Sequence, residues 1–490
     1  NSMASLEEIR EERIKKVKKL QDEAVEAYPI KSNLTHTLFE ASEDFENLSE
    51  IKAVVVLAGR VMARRGQGAV SFLDLKDGTG KLQALFHQEK IAKKDWEQFQ
   101  EAVDVGDFIE VTGILFKTKS EEKTLEVATW RMLTKSLRPL PDKWHGLKDT
   151  EERFRRRYLD TLMDEAVRER FILRSRLIAG FRTLLDKAGF LEVETPILQN
   201  LPGGASALPF TTHHNALDID LFLRISPELY LKKMLVGGFD RVYEFARNFR
   251  NEGIDVTHQP EFTVLEYYEA YSDATKQMAF VEKLFRGILK ILNLKSVIAY
   301  GEQQINFKPK FKVVTYFDLL KKYALITDPI KIEVKELALK AVQFGIKLEG
   351  KEIRETLLDL IYKKVCRPKL IEPTFIVDYP KDYFPLAKAK SDNPELVDAF
   401  QMIVGGVELV KAFSELNDPL DQRERFMTQE KQKADGNAEA QPKDEDFLEA
   451  LEYGMPPAGG VGIGIDRLVM LLTNTHNARE VIYFPTLRPR

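Results

Sequence analysis

The spacing of apolar residues changes along the chain, and each change predicts a different element. From Leu6 to Val25, Ile9, Ile14, Val17, Leu20 and Val25 recur at near-helical spacing, and Arg10, Arg13, Lys15, Lys16, Lys18 and Lys19 fill the positions between them. This is the pattern of an amphipathic basic helix. A solvated packing helix is weighed ahead of a nucleic-acid contact for it. The acidic stretch Asp44 to Glu50 reads as a connector. Between Ala53 and Leu133 the period shortens to strands at Val54–Leu57, Val70–Leu75, Leu82–Phe86, Phe108–Leu115 and Leu125–Met132. Asp77-Gly78 marks a turn, and one helical stretch, Glu89–Val103, follows the third strand.

Five strands with a helix between the third and fourth is the order of an OB-fold, a small barrel that binds single-stranded nucleic acid across strands two and three. A five-stranded barrel with no ligand is the bland alternative. Arg138-Pro139-Leu140-Pro141 then marks a linker into the arginine run Arg153, Arg155, Arg156 and Arg157. Val167 to Ala188 repeats apolar residues at helical spacing and stops at Gly189, after which Leu191-Glu192-Val193-Glu194 alternates as a strand up to Pro196. Helices and strands alternate irregularly beyond it, which predicts an α+β domain on a mixed or antiparallel sheet. Lys431 to Glu445 is polar and reads as a mobile surface loop. The expected organisation is a basic helical extension (1–50), an OB barrel (51–137), a linker (138–165) and a catalytic domain (166–490).

Composition narrows the class. With 490 residues, 44% hydrophobic and 31% charged, the chain is too long for one small binding module and too apolar for global disorder. The net charge of −4 means that any nucleic-acid contact must come from a local basic surface. Cys366 is the one cysteine, so neither an intrachain disulfide nor a cysteine zinc site is expected, and a reducing, cytoplasmic compartment is the default. The longest apolar runs, Ala53–Ala58 and Leu468–Leu472, fall far short of the roughly 20 residues that span a bilayer, so no membrane segment or signal peptide is expected. Asn1 and Ser2 ahead of Met3 read as an expression remnant.

Phosphate loops are missing. Gly80-Lys81 and Gly350-Lys351 are followed by Leu and Glu, and Gly460, Gly462 and Gly464 miss the dinucleotide spacing. His213-His214 lacks zinc-ligand spacing. Two arginine motifs stand out instead. In Arg247-Asn248-Phe249-Arg250-Asn251-Glu252-Gly253, followed by His258-Gln259-Pro260-Glu261-Phe262, a strand arginine can fork onto a phosphate or carboxylate. Glu252 can accept from an exocyclic amine, and Phe262 can stack on a base. In Gly462-Ile463-Gly464-Ile465-Asp466-Arg467, small residues let a strand approach a ligand and Arg467 opens a helix. A salt-bridged hairpin and a buried Asp-Arg corner are the bland alternatives.

Taken together, these segments resemble the class II aminoacyl-tRNA synthetases, and within them the lysyl-tRNA synthetases, over nearly the whole chain. Gly189 to Pro196 resembles motif one, used by the family at its dimer interface; Phe249 to Glu252 resembles motif two and Gly462 to Arg467 motif three. Pro202-Gly203-Gly204-Ala205, Thr212-His213-His214-Asn215, Pro227 to Leu231 and Ser414 to Pro419 carry the subtype signal.

The resemblance implies a homodimer that activates L-lysine with ATP and Mg2+ and transfers it to tRNA(Lys). Arg250 would hold the ATP α-phosphate and the amino-acid carboxylate, Arg467 the γ-phosphate, Glu252 and Phe262 the adenine, and His258 the phosphates. Gly204, Glu228, Arg250, Glu266, Tyr268 and Glu415 would form the lysine pocket, with Glu415 on the ε-ammonium and Glu228 on the α-amine. Carboxylates crowded around a small substrate make sense for one that carries amines. Glu408 and Glu415 would bind magnesium. In the barrel, Arg65, Phe72, Gln83 and Glu122 match anticodon-binding positions.

Three positions depart from the family pattern. Gln401 stands for a second metal-binding Glu, Lys411 for an Asn beside the pocket, and Phe384 for a small Ser. Aspartyl- and asparaginyl-tRNA synthetases share the barrel and motifs, but would need basic or amide groups where Glu228, Glu266 and Glu415 stand. A non-catalytic RNA-binding paralogue is the rival of another class, opposed by the presence of both Arg250 and Arg467.

Overall fold

A computed structural model describes residues 5–66, 68–141, 147, 149–350, 352–434 and 441–489. The chain divides into two compact units, residues 1–147 and 148–490. In the first, β1 (Val54–Arg65), β2 (Val70–Lys76), β3 (Lys81–His87), β4 (Phe108–Lys117) and β5 (Lys123–Thr134) close into a barrel in the order β1-β2-β3-β5-β4. β3 and β5 pair in parallel, and the other neighbours are antiparallel. Period-two alternation places Leu73, Leu75, Ala84 and Phe86 inside, and the helix Lys93–Ala102 seals the core by stacking Phe99 on Phe86 at 3.9 Å.

The N-terminal extension is part of this unit. Its helix, Leu6–Asp22, is capped by Ser5. Its basic face is largely engaged: the Arg13 guanidinium donates to the carbonyls of Val105 and Ser136, and Lys16 pairs with Asp104 at 2.7 Å. The acidic connector is instead a helix, Phe45–Glu50, because Phe45 and Leu48 are buried in the barrel core.

In the second unit the strands, in chain order, are β6 (Leu191–Glu192), β7 (Leu198–Gln199), β8 (Thr211–His214), β9 (Ile219–Leu223), β10 (Arg241–Phe249), β11 (Glu261–Ala270), β12 (Val297–Tyr300), β13 (Gln303–Asn306), β14 (Lys312–Thr315), β15 (Thr374–Pro380), β16 (Leu396–Val404), β17 (Val407–Ser414) and β18 (Ala458–Gly464). Eight of them form one sheet in the order β14-β15-β16-β17-β18-β11-β10-β6. It is antiparallel except at its two margins, where β14 and β6 pair in parallel. The helices Glu165–Lys187 and Ala274–Ile291 bring Leu177, Phe181, Leu185, Val281, Leu284 and Ile288 into the core with Tyr267 of β11 and Val461 of β18.

Two connecting segments are more ordered than expected. The linker region holds the helices Thr150–Arg155 and Arg157–Met163, because its arginines find internal partners: Arg157 lies buried against Asp160 at 2.6 Å and donates to the Arg479 carbonyl. Of the expected loop Lys431–Glu445, the start belongs to the helix Pro419–Ala434 and Glu445 begins the helix Glu445–Glu452, while 435–440 lie outside the described residues, as do Asn1 to Met3.

Candidate active site

One face of the eight-stranded sheet floors a cavity of about 570 Å³. Ten of the residues expected in an ATP or amino-acid site line it: Gly204, Glu228, Arg250, Glu252, His258, Phe262, Glu266, Tyr268, Glu408 and Arg467. Strand alternation explains the grouping, since Phe262, Glu266 and Tyr268 of β11 share one face with Gly460, Gly462 and Gly464 of β18.

At one end the site is rich in carboxylates. Glu228 opens the helix Glu228–Val236, and one turn later Lys232 turns back to pair with it at 2.7 Å. Lys232 is wholly buried and pairs with Glu415 as well. Burial opposes its charge, but Glu228 and Glu415 outweigh that and hold it above the ordinary lysine range. Glu266 accepts from Ser226 Oγ and Tyr268 Oη, each at 3.2 Å. Burial, with Glu228 nearby, pushes Glu266 up to about 8, so near neutrality it is mostly a neutral acid. Two carboxyl groups thus share one ammonium, and Glu266 stands by with none.

Glu415 does not line the cavity itself. It is 1% exposed behind Gly460, where a side chain would collide with its Oε1 and with Tyr268, so glycine is required. That Oε1 is buried and accepts no hydrogen bond among the described residues. Gly204 is also required, because its φ is +83° and a Cβ would lie 2.9 Å from Glu228 Cβ.

At the other end, Arg250 stacks on Phe262 with 5.0 Å from guanidinium to ring centroid. Its Nε is buried and without a partner among the described residues. Asp466 and Arg467 part company at the start of the helix Ile465–Leu472. Asp466 points inward to Arg174 and accepts from the Thr263 amide, which leaves Arg467 facing the cavity. Arg467 Nη1 donates to the Glu408 carbonyl at 3.2 Å, and Nη2 lies 3.2 Å from His258 Nε2. With Nε2 accepting there, the His258 proton sits on Nδ1, 2.8 Å from Asp255. Burial works against the Asp255 charge, but the Thr257 amide and the His258 ring overcome it and hold that carboxyl at about 2.

Glu408 and Glu415 do not come together. Seven residues of nearly extended chain separate them, about 23 Å, so no single ion can bridge both. Glu415 is already committed to Lys232, and among the described residues no group of three His, Cys, Asp or Glu side chains could hold a metal. Glu408 lines the cavity 3.9 Å from Arg467.

Several lining residues escaped the sequence reading. Asn248 is buried with both amide atoms unpartnered among the described residues, and Ser226, Asp359, Tyr362 and Gln441 also line the cavity. Asn248 and Ser226 had a signal, since Asn248 lies inside the arginine motif and Ser226 directly precedes Pro227-Glu228; the others come from distant segments that no local pattern connects.

In the barrel unit, Arg65, Phe72, Leu85 and Glu126 align across β1, β2, β3 and β5 on the outer face, with Asp74, Gln83 and Thr124 in the adjoining register. Phe72 is half-buried there, outside the core. Gln83 Oε1 accepts from Thr124, Arg65 pairs with Asp74 at 2.6 Å, and Glu122 is exposed just before β5. The four expected residues therefore border one outer surface.

A family model described as tRNA synthetases class II (D, K and N) matches residues 149–488, and one described as OB-fold nucleic acid binding domain matches 55–133. Full-length relatives are similar throughout. A protein of Pelotomaculum thermopropionicum named lysine–tRNA ligase is 46% identical over 99% of this chain and 96% of its own length. Proteins of the same name from Carboxydothermus hydrogenoformans and Clostridium tetani are 45% and 43% identical, over 99% and 100% of this chain and 99% and 98% of their own lengths.

Proposed function

The chain belongs to the class II tRNA synthetases of the D, K and N group, and from that premise we propose that it is a lysine–tRNA ligase, activating L-lysine with ATP and transferring it to tRNA(Lys). The observation that carries the choice of amino acid is the buried carboxyl set Glu228, Glu266 and Glu415, of which Glu228 and Glu415 share the ammonium of Lys232 while Glu266 meets no cation among the described residues. A buried carboxylate without a cation is costly, and an incoming ammonium supplies one to Glu228 and Glu266, which line the cavity. Lysine carries two. An aspartate side chain would add a further negative charge, and asparagine would leave the acidic end uncompensated. Relatives named lysine–tRNA ligase at 43–46% identity support the same choice.

The reaction follows from the division of the cavity. Lysine lies at the carboxylate end with Tyr268 and Gly204, its carboxylate directed to Arg250. ATP lies with its adenine at Phe262 and Glu252, the latter accepting from the amino group, its α-phosphate at Arg250 and its remaining phosphates toward His258 and Arg467. A carboxylate oxygen attacks the α-phosphorus in line, the bond to pyrophosphate breaks, and lysyl-adenylate forms; a tRNA ribose hydroxyl then attacks the acyl carbon and releases AMP. The protein's part is positioning and charge stabilisation. Glu408, a carboxylate of the cavity lining, would hold magnesium delivered with ATP, and the ion would supply neutralisation of phosphate charge. The outer barrel face around Phe72, Gln83, Arg65 and Glu122 takes the anticodon. The segment Gly189–Pro196 joins two copies in a homodimer, and the enzyme works in the cytoplasm; no helix among the described residues is long and apolar enough to cross a membrane.

The test is ATP–pyrophosphate exchange with each amino acid in turn. Lysine should support it well above all others. Equal exchange with aspartate or asparagine would overturn the assignment, and folded protein inactive with every amino acid would favour a non-catalytic paralogue.

A further inference from the structure

One row of the sheet crosses the middle of the cavity: Glu266 on β11, Gly462 on β18, Lys411 on β17 and Gln401 on β16 are successive register partners. Gly462 has no side chain, so Glu266 and Lys411 flank a gap two strand spacings wide, about 10 Å. The next row on this face, Tyr268, Gly460 and Phe413, leads toward Glu415, and on the other side Val264 and Gly464 lead toward Arg467. Lys411 therefore stands at the junction of the carboxylate-rich and arginine-rich ends, where bond formation has to occur.

Its surroundings supply donors and no counter-charge in contact. The Lys411 side chain is open to the cavity, its Nζ 4.5 Å from the Phe384 ring centroid, and it makes no ion pair among the described residues. Lys232 pairs with Glu228 and Glu415, Lys363 with Asp359 and Arg467 with Glu408, whereas Arg250, like Lys411, makes no ion pair among the described residues. Gln401 adds to the donor character, because its Oε1 accepts from Tyr379 Oη at 2.8 Å, which leaves its amide N–H groups for a ligand. An ammonium beside an amide N–H does not fit a metal ion. It fits anionic oxygen.

We propose that Lys411 and Gln401 form a further anion-binding pair that holds an α-phosphate oxygen of ATP while the adenylate forms. The proposal rests on the ATP-dependent reading above. It explains why the departures occur together: a carboxylate at 401 would pair with Lys411 and cancel it, whereas an amide leaves the charge free to meet phosphate. Phe384, in place of a small residue, covers the ammonium with a ring face that favours a cation.

Amine labelling of the full chain with acetic anhydride, read by mass spectrometry, tests the contact. Magnesium with a non-hydrolysable ATP analogue should lower acetylation of Lys411 about tenfold, and lysine alone should not. Lys411→Met should raise the ATP KM in exchange about tenfold and raise the magnesium concentration at half-maximal rate, with Lys411→Arg restoring most of both. Unchanged labelling under saturating analogue, or a folded Lys411→Met variant with unaltered ATP KM and magnesium dependence, would overturn the proposal. Should the variant fail to fold, labelling of the unmodified protein decides alone. Protection by the analogue in a protein inactive with every amino acid would defeat the ligase reading and leave the anion site standing.

Discussion

The Arg174 guanidinium and the Asp466 carboxylate meet at 2.5 Å inside the second unit, joining the helix Glu165–Lys187 to the turn at which β18 becomes a helix. Asp466 also accepts from the amide of Thr263 on β11. Its side chain is therefore spent on the fold, and its neighbour Arg467 is directed into the cavity.

Removing one partner leaves the other as a buried, unpaired charge. Asp466→Ala should cost about 3–5 kcal/mol of stability in denaturant unfolding. Asp466→Asn should cost less, because an amide oxygen still accepts from Thr263. A loss below about 1 kcal/mol in the Ala variant would place this pair among weak surface ion pairs.

Arg250 should behave in the opposite way. Its Nε makes no hydrogen bond among the described residues, so the fold gains little from the guanidinium, while in the proposed reaction it holds the reacting phosphate. Arg250→Ala should keep a near-native melting temperature and lose on the order of 100- to 1000-fold in exchange rate, the scale of one positioned donor. An unfolded variant would mean that the residue serves the hairpin.

Much of this was legible in the chain, for definable reasons. The barrel could be read because Leu73, Leu75, Ala84 and Phe86 alternate strictly with outer residues, and period two is a local signal. Arg250, Phe262 and Arg467 could be read because each lies in a short contiguous motif. Lys232 could not. It reads as an ordinary helix lysine, and its partner Glu415 is 183 residues away, so only tertiary packing reveals that the two meet. The helix at Phe45 was missed because its charged residues mask two buried apolar ones, and the acidic stretch scores as a connector until the barrel is there to cover it.

Glu266 gives the site a pH signature. Burial, with Glu228 beside it, raises this carboxyl to about 8, so below that pH the unliganded site holds a proton there. An arriving ammonium favours the carboxylate and expels that proton. Lysine binding should therefore strengthen as pH rises from about 6.5 to 8 and level off above it. Calorimetry in buffers of different ionisation enthalpy should register proton release at pH 7, and Glu266→Gln should abolish that release. Binding without proton exchange at pH 7 would show Glu266 already ionised.

Phe72 separates the chemistry of activation from recognition of RNA. Its ring lies on the outer face of the barrel beside Arg65 and Leu85 in register, and the core is filled from the other side of the same strand by Leu73 and Leu75. Phe72→Ala should therefore leave the barrel folded and lysine-dependent exchange nearly unchanged, since neither adenylate substrate touches this unit in the proposed reaction. Aminoacylation of tRNA should weaken through its KM by about 1–3 kcal/mol, the loss of one stacked base. Arg65→Ala should act in the same direction, with an effect that shrinks as salt rises, because it removes charge and not a stacking surface. Equal losses in exchange and aminoacylation for Phe72→Ala would mean that the ring supports the fold.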